Sequence, residues 1–362
     1  MNVRALSKPL QLKSEQELNE LSNRVKSDIE YIRRWLKQQL HLNANLDDQF
    51  ILTFLRGCKF NYKITKEKIE CFYSTITLMP ELFRNRDPLA HDIQHVLNTR
   101  HFWLPLPKSS DPLAPRILYY SGEPFDASKK IDLFPIIKTI LIVMDILLHE
   151  DDSFIVNGYC VIHYLNGFTS NHLSQLPITL LKNLYTCFIK RYPLRLKQFH
   201  FMNVRSSIYV MYNLLKPFVS EKIRSRVCFH QTLERIHDFF SKAELPIELG
   251  GESYCIESVL DEWKDKIAKH RNWLIEHERF GTDESKRIEK VNYNPEMFGV
   301  QDLTIYSTCT SDNIRDSASL AIQSTVEIGT AEVANDVNTV DSGHKAATDH
   351  LYNKPYRMVT LP

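Results

Sequence analysis

The chain has 362 residues, 43% hydrophobic and 25% charged, with a formal net charge of +1. That balance fits a soluble globular protein with a large core and about two domains. It excludes a whole-chain electrostatic case for nucleic acid. The greasiest run, IDLFPIIKTILIVMDILLH (131–149), is interrupted by Asp132, Pro135, Lys138 and Asp145, which excludes a bilayer-spanning helix there. The first residues, MNVRALSKPLQLKSEQ, hold no apolar core of the signal-peptide kind. Seven cysteines stand at 58, 71, 160, 187, 228, 255 and 309, none in C-x-x-C spacing. An odd, unmotivated set reads as reduced thiols in a cytoplasmic protein.

Taken in chain order, residues 14–42 predict a helix. Ser14 and Glu17 read as a capping box, followed by Leu18, Leu21, Val25, Ile29, Ile32 and Leu36 at helical spacing. A second helix is predicted over 47–58. A third, following Thr65, runs over KEKIECFYSTITLM and stops before Pro80. The middle changes character. RILYYSG (116–122), YCVIHYLNG (159–167), QFHFMNV (198–204) and RVCFHQ (226–231) are short, aromatic and β-branched, and read as strands. Helical segments over 131–149, about 172–191 and 206–225 separate them. Such alternation predicts an α/β domain with a mostly parallel sheet. A further helix is predicted over 256–280. From 300 onward the chain is rich in Ser, Thr, Asn and Asp, with eight acidic against four basic residues, and reads as disordered.

No catalytic signature is present: no G-x-S-x-G, no H-E-x-x-H and no Walker loop. His163 and Tyr164 are adjacent on a strand and so point to opposite faces. Glu150, Asp151 and Asp152 read as a solvated turn, and Gly250–Gly251 as a turn. Charge placement is the unusual feature. Nine basic residues and one acidic residue lie between Lys190 and Arg226. Lys222 and Arg226 share a face if the helix continues past Pro217, and Arg195 and Lys197 share one if extended. Like charges so placed repel unless an anion visits. A solvated basic face is the bland alternative, and nucleic acid a weaker third. Just before this end lies an apolar stripe of Ile208, Met211, Tyr212, Leu215 and Phe218. It reads either as a buried core helix or as a lid over an apolar pocket.

Two passages carry a family resemblance. KRYPLRLKQFHFMNV…NLLKPFVSEKIRSRV…LPIELGGES resembles the lipid-binding half of the CRAL-TRIO family, and ILTFLRGCKFNYKITKEKI resembles that family's N-terminal helical module. LMPELFRNRDP, LPLPK, ILLHEDD, VNG and RFGTDESKR resemble its insect tocopherol-transfer-like and retinaldehyde-binding-like members. The resemblance covers roughly residues 10–290. It implies an α/β fold with a helical module at 1–95, a lipid-binding domain at 96–255 and a C-terminal helix at 256–290; the tail at 291–362 lies outside it and reads as disordered from its composition.

The resemblance further implies a carrier, not an enzyme, that needs no cofactor or metal. Its expected ligand is a retinoid, a tocopherol-like compound or another lipid. Lining positions would be Leu141, Asp145, Tyr159, His163, Leu176, Cys187, Phe188, Leu194 and Phe199. The apolar stripe would be a gate helix. Arg195, Lys197, Lys222 and Arg226 would bind a phosphoinositide on the membrane. A fifth basic position falls on Cys58, with Lys59 adjacent. Tyr164 stands where the family usually carries Asp, and Leu141 and Asp145 stand where tocopherol-binding members carry serines. The implied protein is cytoplasmic, peripherally membrane-associated and without a nucleic-acid partner. A second reading is a phosphoinositide-responsive adaptor whose acidic tail recruits a partner.

Overall fold

The computed structural model describes residues 2–99, 102–121, 132–165, 178–204 and 206–287. The expected tail, Leu176 and Gly167 lie outside them. Within the helical part, α1 (Lys8–Leu18) and α2 (Val25–Gln38) replace the single helix expected over 14–42. Asn19 adopts left-handed backbone (φ 62°) and closes α1. Ser14 is therefore not a cap. It lies inside α1, buried, and its hydroxyl donates to the Glu20 carboxylate. A two-residue strand, β1 (Leu42–Asn43), leads to α3 (Asp48–Gly57), capped by the Asp47 carboxylate at the Gln49 amide. Helix α4 (Tyr62–Leu78) begins earlier than expected because Asn61 caps the Ile64 amide. Short α5 (Pro80–Phe83) and α6 (His91–Thr99) complete this region.

Strand β2 (Leu104–Pro105) pairs antiparallel with β3 (Arg116–Ser121). The sheet then grows in parallel through β4 (Tyr159–Tyr164), β5 (Leu196–Met202) and β6 (Val227–His230), in the order β2-β3-β4-β5-β6. Helices α7 (Leu133–Glu150) and α8 (Asp152–Asn157) cross from β3 to β4. Helix α9 (Ile178–Tyr185) runs into a π turn, Thr186–Arg191, before β5. Helix α10 (Ser206–Leu215), a 3-10 turn at Lys216–Phe218 and α11 (Glu221–Arg224) cross from β5 to β6. The helix expected over 206–225 is thus broken at Val219–Ser220, and Arg226 lies beyond it.

The C-terminal part holds α12 (Ile256–Lys269) and α13 (Arg271–His277), split at His270 where one helix was expected. Strand β7 (Gly281–Thr282) returns to pair with β1. One apolar core runs from α2 and α3 through α7 and β4 to α12. Of the acidic turn, Glu150 stays exposed while Asp151 and Asp152 are drawn out of solvent. Asp151 is buried, caps α8 and pairs with Arg116 at 3.1 Å. Asp152 takes Arg4 and Arg56, and Glu150 takes His270 at 2.7 Å. These pairs fasten α8 to the helical part. Gly250 turns with φ 74°, as its turn reading expected.

Candidate functional site

Strand register puts Leu118, Tyr120, Val161, His163, Phe199, Phe201, Val227 and Phe229 on one sheet face, since partners across a parallel ladder point the same way. At the start of the strands Leu118 and Val161 have no accessible surface. Towards the strand ends the packing loosens: Tyr120, His163, Phe199, Phe201 and Phe229 stay only half-buried. They do so although rings crowd around them. His163 has Tyr120 at 4.4 Å, Phe201 at 5.6 Å and Phe199 at 5.8 Å. Phe201 stacks on Phe229 at 5.5 Å, and Trp103 lies 4.7 Å from Phe188. Half-buried aromatic side chains at the C-terminal ends of the strands mark a candidate recess. In open α/β sheets ligands favour that end.

Helix α10 lies over the far side of this face. Tyr209 and Tyr212 meet the Phe229 ring at 4.9 and 5.1 Å. Ile208 is buried, Tyr212 and Leu215 are half-buried, and Phe218 is 48% exposed. The side chain of Met211 lies outside the described residues. Past Pro217, the Arg224 guanidinium donates to the carbonyls of Lys216 (3.2 Å) and Val219 (3.1 Å), bracing the bend.

Of the expected lining residues, His163, Phe188, Leu194 and Phe199 keep accessible surface, whereas Leu141, Tyr159 and Cys187 are sealed in the core. Cys187 contacts the sulfur of Met79 at 3.5 Å. Asp145 faces the helical part instead, held by Arg86, Arg191 and Tyr192. Besides Tyr120 and Trp103, His163 is the polar side chain among the recess residues named above. Burial lowers its pKa to about 3, and its Nδ1 has no partner. Phe201 and Phe229 were not named from sequence. Their alternation with His200 and His230 was the available signal.

The basic residues converge in part. Burial lowers the Lys197 pKa, and Arg195, Lys13 and Arg226 lower it further, while Glu17 opposes them. Four cations thus share one neighbourhood with Glu17. Lys13, from α1, was not predicted. Arg195 pairs with Glu17 at 3.1 Å and donates to the Val156 carbonyl. Arg226 donates to the Leu196 carbonyl. Lys222 is exposed on α11. Cys58 faces inward, its thiol pushed up to about 11 by burial. Lys59 is exposed, with φ 56°. It stays close to this region, because its carbonyl takes Asn19 and the neighbouring Gly57 abuts Pro193.

Among the described residues one trio offers metal-ligand atoms, His200, Cys228 and His230, within 4.8 Å of one another on the opposite sheet face. His200 Nδ1 and His230 Nε2 lie 3.0 Å apart in rings only 14° from parallel, and Gln198 Oε1 lies 3.3 Å from His200 Nε2. This is a mutually satisfied hydrogen-bonded pair, and a metal between the two nitrogens would require a ring to turn.

Comparison with known proteins agrees with this architecture. Residues 106–251 match the CRAL/TRIO domain model, and residues 21–93 match the Pinta-like UBA domain model. The chain is 27% identical to Clavesin-1 of Xenopus laevis over 245 residues, covering 65% of this chain and 70% of that protein. It is 26% identical to alpha-tocopherol transfer protein-like of Mus musculus over 254 residues, covering 69% and 71%. A solved structure of Sfh5 aligns over 74% of this chain and all of that one, with 13% identity and a TM-score of 0.42. The chain belongs to the CRAL-TRIO family.

Proposed function

We propose that this protein binds one hydrophobic small molecule in the aromatic recess and carries it between membranes. The carrying observation is the set of half-buried aromatic side chains at the strand ends, roofed by α10. A ligand of some twenty carbons gains ~0.8 kcal/mol per buried CH2, which suffices without a dense set of polar contacts. His163 Nδ1, buried and without a hydrogen-bond partner, is the atom proposed to meet the ligand's polar end. A retinoid, a tocopherol-like compound or another lipid with one polar end suits such a site, and the tocopherol name of one relative supports the class. Carriage requires no nucleophile or metal, so the protein is read as a carrier and not an enzyme. The cationic neighbourhood of Lys13, Arg195, Lys197 and Arg226 would dock on anionic membrane, with phosphoinositide as the favoured headgroup. Swinging α10 about the Pro217 bend would then open the recess. Among the described residues no helix is long and apolar enough to cross a membrane, so docking is peripheral in this reading.

Native mass spectrometry of gently purified protein, followed by organic extraction, tests it. A single lipid per chain is expected. Empty protein that also fails to take up fluorescent retinoid and tocopherol probes would refute the carrier reading.

A further inference from the structure

A cavity lies apart from the candidate recess, where α3 and α4 meet α7 and α13. Its volume is about 150 Å³, and Phe50, Tyr73, Ile76, Trp273, His277 and Phe280 form much of its wall. Arg86, Asp145 and Arg191 reach it together. Asp145 Oδ2 takes Arg86 Nη1 at 2.8 Å, and Oδ1 takes Arg191 Nη1 at 3.0 Å and the Tyr192 hydroxyl at 2.5 Å. Arg191 is spent: its Nε donates to Thr75, and its guanidinium lies 3.7 Å from the Phe72 ring centre. Arg86 is not. It is 4% exposed, yet Nε and Nη2 have no partner.

Two guanidinium groups against one carboxylate leave one positive charge. The two free nitrogens form a single edge of the Arg86 guanidinium, the edge that grips a carboxylate with two parallel hydrogen bonds. Leaving such donors buried and unpaired is costly. Asp47, the other carboxylate on the wall, is occupied as the cap of α3.

We propose that this cavity binds a small organic monoanion. Its carboxylate sits on Arg86 Nε and Nη2, and its flat apolar body lies against the aromatic wall. A dry cavity of about this size accommodates a benzene ring. A dianion such as phosphate would exceed the single spare charge and leave the aromatic wall without a partner.

The test uses the full chain, with benzoate as probe and benzamide as its uncharged counterpart, by isothermal titration calorimetry. Benzoate should bind saturably at one site, and benzamide at least tenfold more weakly. Arg86→Lys keeps the charge but loses the two-nitrogen edge, and should weaken benzoate at least tenfold. Ile76→Trp fills the cavity without touching the ion cluster, and should abolish binding. Thermal melts establish that both variants fold, and the benzoate–benzamide comparison needs neither. Absence of saturable benzoate binding, equal binding of benzamide, or unchanged affinity in the variants would each overturn the proposal and leave a cavity holding only water.

Discussion

His163 joins a stability term to a place in the proposed binding site. Its pKa of about 3 arises from burial alone, with no charged neighbour contributing. The unfolded chain titrates near 6.5, so above that pH folding loses nothing at this residue. As pH falls below 6.5 the unfolded chain takes up a proton that the fold refuses, and stability drops until about pH 3. His200 adds a second group of the same sign, also near 3. Asp145, held near 2 against its burial chiefly by Arg191 and Arg86, loses its stabilising contribution only below about pH 4. His163→Phe keeps the ring and removes the titration. Urea unfolding from pH 6.5 to 4.5 should show a pH slope shallower by up to about one proton than wild type. An unchanged slope would mean that His163 is hydrated in the folded protein.

Among the elements, the proposed gate is α10 with the bend that follows it. The bend at 216–220 is closed by the Val219 amide on the Lys216 carbonyl at 3.3 Å and by the two donations from Arg224, while the Ile223 and Arg224 amides close α11 on the Ser220 carbonyl. Phe218 beside it is exposed and α11 has only one turn, from which Ile223 packs on the core. Segments with few buried contacts open at low free energy. Arg224→Ala should speed amide hydrogen exchange across 216–226 by several-fold and leave β4 and β5 unchanged. Exchange unaltered in that segment would show that the latch does not hold the bend. The opposite case is the end of α3, where a Cβ on Gly57 would stand 1.9 Å from the Pro193 carbonyl oxygen. That contact presses the helical part rigidly against the loop leading into β5.

For the whole molecule, the cationic neighbourhood is assembled from three distant stretches, Lys13 on α1, Arg195 with Lys197, and Arg226. It exists because α1 is tied down elsewhere, by Arg56 on Glu20 at 2.9 Å and Arg4 on Asp152 at 2.8 Å. Arg195 and Arg226 donate to the carbonyls of Val156 and Leu196, and Lys13 to that of Leu113, so charge reversal at Lys13 and Lys197 leaves the two arginine bonds at the sheet in place. Each cation near an anionic surface contributes about 1 kcal/mol. The double charge reversal Lys13→Glu, Lys197→Glu should therefore weaken sedimentation with phosphoinositide-containing vesicles at least tenfold, while organic extraction still recovers bound lipid. Wild-type binding should itself fall between 0.1 and 0.5 M salt, roughly as the screening length shortens. Binding indifferent to both changes would remove the docking half of the proposed function and leave the carrier half standing.

The amino-acid sequence by itself determined the strands β3 to β6, because β-branched and aromatic runs bounded by turn residues have few other solutions. It also determined the parallel α/β class and the family, whose matching passages are long and ordered. It did not reveal the breaks at Asn19–Arg24 and His270, since hydrophobic spacing continues across both, whereas Pro217 already made the helix's continuation into Val219–Ser220 conditional. The acidic turn at Glu150–Asp152 looked solvated because its partners Arg4, Arg56, Arg116 and His270 are remote in the chain. Asp145 shows the same limit: Arg86 is 59 positions away and Arg191 is 46. Local pattern encodes which face of an element is apolar. Which charge meets which, and where a cavity remains, is decided only when distant elements close on one another.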